Sequence, residues 1–301
     1  MKRLFAWMGI GAFCFGYFAS YIPYAMMTKM LTSGLFAGMD GKGFTGFMIL
    51  PAVGTATFLT MYIYLTLSGW WKYSTHSTVF GVSMPRPRWI TFISGLCTAG
   101  VIITTTLAYS FEGVSIVFAM LLMRGGTLVI APIVDMIALK RKRKIFWPSW
   151  VAAFLSLASL FVTFSGKSGT ALTVVASINI ACYITSYFLR FFFMSNWAKS
   201  EDINEKKRFF TEEQMVANPT FWAIIIITGL FGSHMDSASI PGQVWQGMTT
   251  FLHSGHLLQA FLIGIFSYGT GMFGTLIFLD KRENTFTVPA SRISSVLAGV
   301  V

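Results

Sequence analysis

The sequence predicts an all-α polytopic membrane protein. Of its 301 residues, 54% are hydrophobic and only 11% are charged, whereas soluble domains usually carry about 25% charged residues. The apolar residues fall into runs of about 20, the length that an α-helix needs to cross a bilayer. Lys and Arg outnumber Asp and Glu by 22 to 11, and most of the basic residues lie between the apolar runs. This composition excludes a soluble globular enzyme and a disordered chain.

Nine apolar segments are candidate membrane spans. They cover residues 4–27, 47–71, 89–110, 115–139, 147–165, 170–195, 217–233, 257–279 and 285–301. The first follows Lys2 and Arg3, as the core of a signal peptide would, but its apolar run is longer than such a core and no small-residue cleavage site follows it. We therefore interpret it as a true span. Three longer loops are predicted at 28–46, 196–216 and 234–256, none of them long enough for a separate soluble domain.

The basic residues predict an orientation. Sixteen of the 22 Lys and Arg lie in one alternating set of predicted loops and three lie in the other. Because basic loops stay on the cytoplasmic side, the N-terminus is predicted to be cytoplasmic. The run from Lys140 to Lys144 follows a span directly, which favours a topology anchor near anionic lipid over a nucleic-acid site. We expect a multi-pass protein of the cell, or inner, membrane with no nucleic-acid partner.

The order of the spans indicates an internal duplication. Residues 1–168 form a first repeat of five helices, and residues 169–301 form a second repeat that lacks its last helix. Five spans per repeat would insert the second copy upside down, which is the inverted-repeat plan of many transporters. Residue identity between the halves is at background level, so this prediction depends on span order alone. It gives nine spans, with a tenth missing at the C-terminus.

Three stretches resemble a known family. They are MRGGTLVIAPIVD (123–135), WPSWVAA (147–153) and PASRISSVLAG (289–299). Together with the five-helix halves and the cytoplasmic N-terminus, they resemble the drug/metabolite transporter superfamily, with the EamA-like branch nearest. Two features depart from that pattern, because Asp135 stands where Glu is commoner and the tenth helix is absent. The resemblance implies transport and leaves the substrate open among amino acids, nucleotide sugars, sugar phosphates, cations and drugs.

Two arginines within the spans are the first candidate site residues. A central Arg costs roughly 2.5–3.5 kcal/mol to insert, so Arg124 and Arg292 need partners or water. They occupy equivalent positions in the two predicted repeats, and their planar guanidinium groups suit a carboxylate or phosphate. We predict that they bind an anionic substrate group, with Gly125, Gly126 and Ser295 beside them. The alternative is a structural arginine paired with a carboxylate.

Three carboxylates are candidate proton or gate residues, with ordinary solvation at a helix end as the alternative. They are Asp135, Glu112 and Asp280. Arg190 lies near the cytoplasmic end of its span, where we expect its side chain to snorkel towards water. The pair His253 and His256 is a weak metal signal because no Cys or carboxylate spacing supports it. No metal, cofactor or catalytic residue is predicted.

The function predicted from these features is secondary transport. The expected substrate is a small polar, anionic metabolite, moved across the bilayer by alternating access. An intramembrane enzyme, such as a lipid-modifying transferase, would need several catalytic His, Asp or Glu residues at one membrane face, and all four His lie outside the predicted spans. A structural membrane protein without transport activity is the other alternative.

Overall fold

The structure, a computed structural model, describes residues 9–79, 81–108, 116–137 and 174–300, together with five residues between 147 and 158. These segments are predominantly helical. Their α-helices are α1 (Ile10–Thr32), α2 (Gly46–Leu67), α3 (Trp89–Leu107), α4 (Ile116–Ile137), α5 (Val174–Trp197), α6 (Ile203–Gly232), α7 (Ile240–Thr249), α8 (Leu257–Phe278) and α9 (Asn284–Val300). A small antiparallel hairpin pairs β1 (Thr75–Val79) with β2 (Val82–Arg86). Single 3₁₀ turns lie at Trp70–Tyr73 and Phe251–His253.

Six helices of the described segments are long and apolar enough to cross a membrane, namely α1, α2, α3, α5, α6 and α8. Large apolar side chains such as Phe15, Leu67, Val174 and Leu258 are exposed on these helices or at their ends. Such exposure is unfavourable in water and favourable against lipid tails. The prediction of a helical membrane protein with several apolar helices is therefore confirmed.

Eight of the nine predicted spans coincide with helices, but one of those helices is much longer than predicted. Helix α6 begins at Ile203 rather than at 217, so most of the loop predicted at 196–216 is helical. The reason is that Phe209, Phe210 and Val216 are buried and give this charged stretch an apolar face. The predicted loops at 72–88 and 234–256 also contain regular structure, the β-hairpin and α7.

Several predicted features fall outside the described residues. Nearly all of the predicted fifth span is among them, and so are the tight turn at 111–113 and the basic run 140–144.

The described chain forms two compact units. The first consists of residues 1–71, 218–274 and 294–301. Within it α2 packs closely against α8: a Cβ placed on Gly264 would lie 2.5 Å from the Cβ of Ala56. The Thr57 hydroxyl donates to the Gly264 carbonyl oxygen at 3.1 Å. The apolar core at one end of this unit comprises Leu31, Met39, Ile49, Ala52, Phe251, Ala260 and Ile263.

The second unit consists of residues 72–217 and 275–293. It contains the hairpin, α3, α4, α5, the first part of α6 and the polypeptide between the end of α8 and the start of α9. Helix α5 packs against both α3 and α4. Two close approaches in this unit depend on glycine: a Cβ on Gly126 of α4 would lie 2.6 Å from Ile184 of α5, and one on Gly95 of α3 would lie 2.6 Å from Val216 of α6. In the same unit Arg190 of α5 and Glu213 of α6 lie within hydrogen-bonding distance.

Candidate functional site

The two predicted arginines lie close together in the second unit. Arg124 is on α4 and Arg292 is on α9, and both are half-buried. Arg292 contacts α4 at Thr127, whose hydroxyl accepts from Nε and Nη2 of Arg292 at 3.3 and 3.1 Å. The same hydroxyl donates to the backbone carbonyl oxygen of Arg124 at 2.6 Å. The guanidinium group of Arg292 therefore lies one helical turn along α4 from Arg124, and their joint role as one site stays a prediction.

Two tyrosines of α5 complete this arrangement. Nη2 of Arg292 lies 3.4 Å from the hydroxyl oxygen of Tyr183, and its Cζ lies 5.4 Å from the ring centre of Tyr187, a cation–π contact. The two tyrosine rings pack edge to face at 4.9 Å. Arg124 also lies within electrostatic range of Tyr183. We call these five residues, Arg124, Thr127, Tyr183, Tyr187 and Arg292, the arginine site.

The small residues predicted beside the arginines have different positions. Gly125 is buried, and Gly126 forms the close contact with Ile184 described above, which is a packing role. Ser295 is also buried, and its place beside the arginines stays a prediction.

A second buried group, not predicted from the sequence, joins Arg190 to Glu213. Glu213 on α6 is 0% exposed and Arg190 on α5 is 4% exposed. Nε and Nη2 of Arg190 donate to the two carboxylate oxygens at 2.9 and 3.0 Å, a bidentate pairing that fixes both side chains. The hydroxyls of Ser94 and Thr98 donate to Oε1 of Glu213 at 2.7 and 3.0 Å. The expectation that Arg190 snorkels is wrong, because the carboxylate on α6 holds it inside the protein.

Aromatic rings connect this ion pair to the arginine site. Cζ of Arg190 lies 5.8 Å from the ring centre of Phe278. The Phe278 ring packs edge to face against Tyr187 at 6.4 Å. The guanidinium group of Arg292 lies over the same Tyr187 ring. Arg190 and Arg292 consequently both act electrostatically on Tyr187.

Asp135 binds the start of α9. Its Oδ1 accepts from the backbone N–H and the side-chain amide of Asn284 at 3.0 and 2.7 Å. Its Oδ2 accepts from the backbone N–H and hydroxyl of Thr285, both at 2.7 Å. A carboxylate at this end of a helix satisfies N–H groups that have no partner within the helix, and it interacts favourably with the helix dipole. Asp135 therefore anchors α9 to α4, and its proton role stays a prediction.

Asp280 lies in the short connection between α8 and α9. Its carboxylate accepts from Nε of Arg282 at 2.8 Å and from the Arg282 backbone N–H at 3.1 Å. Partial burial opposes ionisation, but these hydrogen bonds and the nearby positive charge outweigh it and lower the pKa of Asp280. The remaining gate candidate, Glu112, lies outside the described residues.

Glu212, the neighbour of Glu213, was also missed by the sequence analysis. It accepts from the backbone and hydroxyl of Thr75 at 3.0 and 2.8 Å. It also accepts from Nε of Arg88 at 3.0 Å and from the Thr91 hydroxyl at 2.7 Å. This carboxylate joins α6 to the β-hairpin and to the first turn of α3, which is a structural role.

Metal binding has no support in the part of the chain that the structure describes. No group of three or more His, Cys, Asp or Glu residues there is arranged to hold a metal ion.

Fold and site together define a class, a helical membrane protein with several apolar helices, one buried arginine and two half-buried ones. No protein-family model matches the chain, and no curated protein shows a significant match to it.

Proposed function

We propose that the protein is a secondary transporter of a small anionic metabolite. The observation that carries this proposal is the arginine site, where the guanidinium group of Arg292 on α9 donates to the Thr127 hydroxyl on α4, one helical turn from Arg124. A guanidinium group donates parallel hydrogen bonds in a planar fork that fits a carboxylate or a phosphate. Arg124 and Arg292 both lie within electrostatic range of Tyr183, an arrangement suited to an anion.

The proposed architecture is an inverted repeat of the EamA-like type. In it Arg124 and Arg292 occupy the fourth helices of the two halves, and α4 and α9 contain Pro132 and Pro289. Each arginine would hold the substrate during one half of an alternating-access cycle.

The proposed orientation has the N-terminus in the cytoplasm of the cell or inner membrane. A cysteine in place of Arg86, which is exposed on β2, should then react with an impermeant maleimide only from the cytoplasmic side. A cysteine in place of the exposed Asp236 should react only from outside. Reversed labelling would contradict this orientation.

Uptake by proteoliposomes tests the function. Wild-type protein is reconstituted and given radiolabelled sulfate, inorganic phosphate, succinate or glucose 6-phosphate, which cover the inorganic, carboxylate and phosphate-ester anions. We expect saturable uptake of at least one of them. Arg124→Ala and Arg292→Ala should each abolish that uptake, and the Arg→Lys variants, which keep the charge but lose the fork, should reduce it about tenfold.

The control is Arg86→Ala, which removes a basic side chain from the exposed hairpin and should leave uptake unchanged. Folding of every variant is checked by size-exclusion chromatography in detergent. Unchanged uptake in a folded Arg124→Ala/Arg292→Ala double variant would contradict the role of the arginine site. If the wild-type protein takes up none of the four anions, the anion-transport proposal is contradicted. The two alternatives, an intramembrane enzyme and a structural membrane protein, would then remain.

A further inference from the structure

The β-hairpin has one face on which apolar side chains are exposed. Directly opposed residues of two antiparallel strands share a face, and so do alternate residues of one strand. Val82, Met84 and Arg86 of β2 therefore lie on one face, with Ser77 opposite Met84 and Thr75 opposite Arg86. Val82 and Met84 are 61% and 51% exposed. An isolated two-stranded hairpin is only marginally stable in water, so an apolar cover over this face, which we call the β2 face, would stabilise it.

The opposite face of the hairpin is polar. It carries His76, Thr78 and Ser83, which are exposed, together with Pro85. The two faces thus differ as expected for a hairpin at the boundary between an apolar phase and water. Pro85 also removes a backbone donor from β2, which disfavours the addition of a further strand from another protein.

The hairpin leads directly into a candidate membrane span. Helix α3 begins at Trp89, three residues after β2 ends at Arg86, and it is long and apolar enough to cross a membrane. Trp89 is 73% exposed, and its ring stacks on Phe92 at 5.7 Å. Tryptophan is enriched where a span meets the lipid headgroups. Because three residues extend over about 10 Å at most, the base of the hairpin lies near the headgroups.

Glu212 of α6 holds the hairpin at both ends. Its Oε1 accepts from the backbone N–H and the hydroxyl of Thr75, the first residue of β1, at 3.0 and 2.8 Å. Its Oε2 accepts from Nε of Arg88, two residues after the end of β2, at 3.0 Å. These hydrogen bonds fix the base of the hairpin, and with it the direction of the β2 face, to α6 and to the start of α3.

The charges of the hairpin and its flanks are all positive. Between residues 72 and 110 the sequence contains Lys72, Arg86 and Arg88 and no Asp or Glu. Arg88 is bound to Glu212, whereas Lys72 and Arg86 are exposed. Lys72 lies three positions before the residue that pairs with Arg86. Two exposed cations at the base of an apolar face complement an anionic lipid surface.

We propose that the β2 face binds the anionic lipid surface of the leaflet in which α3 begins. Val82 and Met84 enter the boundary between headgroups and acyl chains, and Arg86 and Lys72 donate hydrogen bonds to lipid phosphates. The long aliphatic parts of these two side chains let the charged ends reach the phosphates while the face itself is covered. The β2 face shares no residue with the arginine site, and the inference does not depend on the proposed transport.

The test measures the depth of a nitroxide spin label on the whole chain in lipid nanodiscs of phosphatidylcholine and phosphatidylglycerol. The native cysteines Cys14, Cys97 and Cys182 are first replaced by Ala. Met84→Cys then places the label on the β2 face, and Ser83→Cys, the matched control, places it on the polar face of the same strand. We expect the label at residue 84 to collide mainly with oxygen, which concentrates in the bilayer. The label at residue 83 should collide mainly with a water-soluble nickel chelate.

Two results would overturn the inference. One is equal access of the nickel chelate to both labels, which would place the β2 face in water. The other is protection of the label at residue 84 from both reagents, which would show that a second copy or another protein covers the face. If Met84→Cys does not fold, Val82→Cys places the label on the same face and repeats the measurement.

Charge variants test the preference for anionic lipid. In the mixed nanodiscs, Arg86→Gln and Lys72→Gln should each lower the ratio of bilayer-bound to water-exposed label at residue 84 about fivefold, as expected for one basic residue near a charged surface. Lys42→Gln is the control, because it removes an exposed lysine from the loop between α1 and α2, and it should leave the ratio unchanged. An unchanged ratio in a folded Lys72→Gln/Arg86→Gln variant would overturn the proposal.

The lipid itself is varied in the last arm. Nanodiscs of phosphatidylcholine alone should lower the same ratio in the protein that keeps both cations, since their surface has no net charge. Glycerol 3-phosphate, which has the phosphate ester without acyl chains, should not displace the label from the mixed bilayer. Displacement would assign the two cations to a free phosphate ester, and equal ratios in both kinds of nanodisc would exclude recognition of anionic lipid. Either result would overturn the proposal.

Discussion

Arg190 and Arg292 are arginines of the second unit that are held in contrasting ways. Arg190 makes a bidentate ion pair with a carboxylate and is almost completely buried. Arg292 is half-buried, and its contacts include the neutral side chains of Thr127, Tyr183 and Tyr187. The comparison teaches that an arginine within a membrane segment cannot be assigned a role from its depth alone. The carboxylate partner of Arg190 indicates a role in maintaining the fold, whereas the ligand-binding role of Arg292 is a proposal.

The largest expected effect comes from removing one side of the ion pair. Arg190→Met leaves the Glu213 carboxylate buried without its cation, so we expect a loss of about 3–5 kcal/mol in the free energy of unfolding. Arg292→Met removes hydrogen bonds to neutral hydroxyls and should cost only about 1 kcal/mol. Unfolding in detergent micelles, followed by tryptophan fluorescence, measures both. Equal losses in the two variants would break the distinction between the two arginines.

A smaller effect is expected at the anchor between α4 and α9. Asp135→Ala removes a carboxylate that accepts four hydrogen bonds from Asn284 and Thr285, and should cost about 2 kcal/mol, near the upper end for a helix cap. Asp202→Ala is the control, because Asp202 is exposed and accepts one backbone hydrogen bond, from Asn204. Its loss should cost about 0.5 kcal/mol. Similar melting temperatures for the two variants would show that Asp135 contributes little to holding α9.

The smallest effect is expected where a carboxylate and an arginine meet near the surface. The side chains of Asp280 and Arg282 are 17% and 42% exposed, so their pairing should contribute about 0.2–1 kcal/mol. The pKa of Asp280 is lower in the folded protein than in the unfolded chain. Its contribution is therefore fully present above the unfolded pKa, about 3.9, and is lost as pH falls through the lower folded value.

Acid titration of stability measures this contribution. Wild-type protein and Asp280→Asn should converge in unfolding free energy at the acid end, below the folded pKa of Asp280. Above about pH 4 the wild type should be the more stable of the two. A constant difference between them across the titration would contradict the pairing with Arg282.

The apolar pattern predicted most of the fold, because helices that cross a bilayer must be long and apolar over their whole length. The same rule explains the main error. The stretch 203–216 is rich in charge, which predicts a loop, although Phe209 and Phe210 are completely buried in the continuous helix α6. A helical spacing of apolar residues within a charged segment was the signal that could have corrected this.

The candidate site was predicted in part. Arg124 and Arg292 stood out because each is a charged residue within an apolar run, and the structure places Arg292 against Thr127, one helical turn from Arg124 on α4. Glu213 could not be found in this way, since it stands beside Glu212 in a segment whose charge predicts a solvated loop. Its contact with Arg190 joins helices that the sequence does not relate, and such pairings depend on packing that no local pattern encodes.

The anchor formed by Asp135 also has a consequence for biogenesis. Asp135 and Asn284 are separated by 149 positions in the chain, so the contact cannot exist until the ribosome has made α9. Until then the carboxylate at the end of α4 must be hydrated, because a bare charge would be costly at the edge of the lipid. When α9 is released, its exposed N–H groups replace that water. Helix α9, the last described helix, thus docks on a carboxylate that α4 already presents.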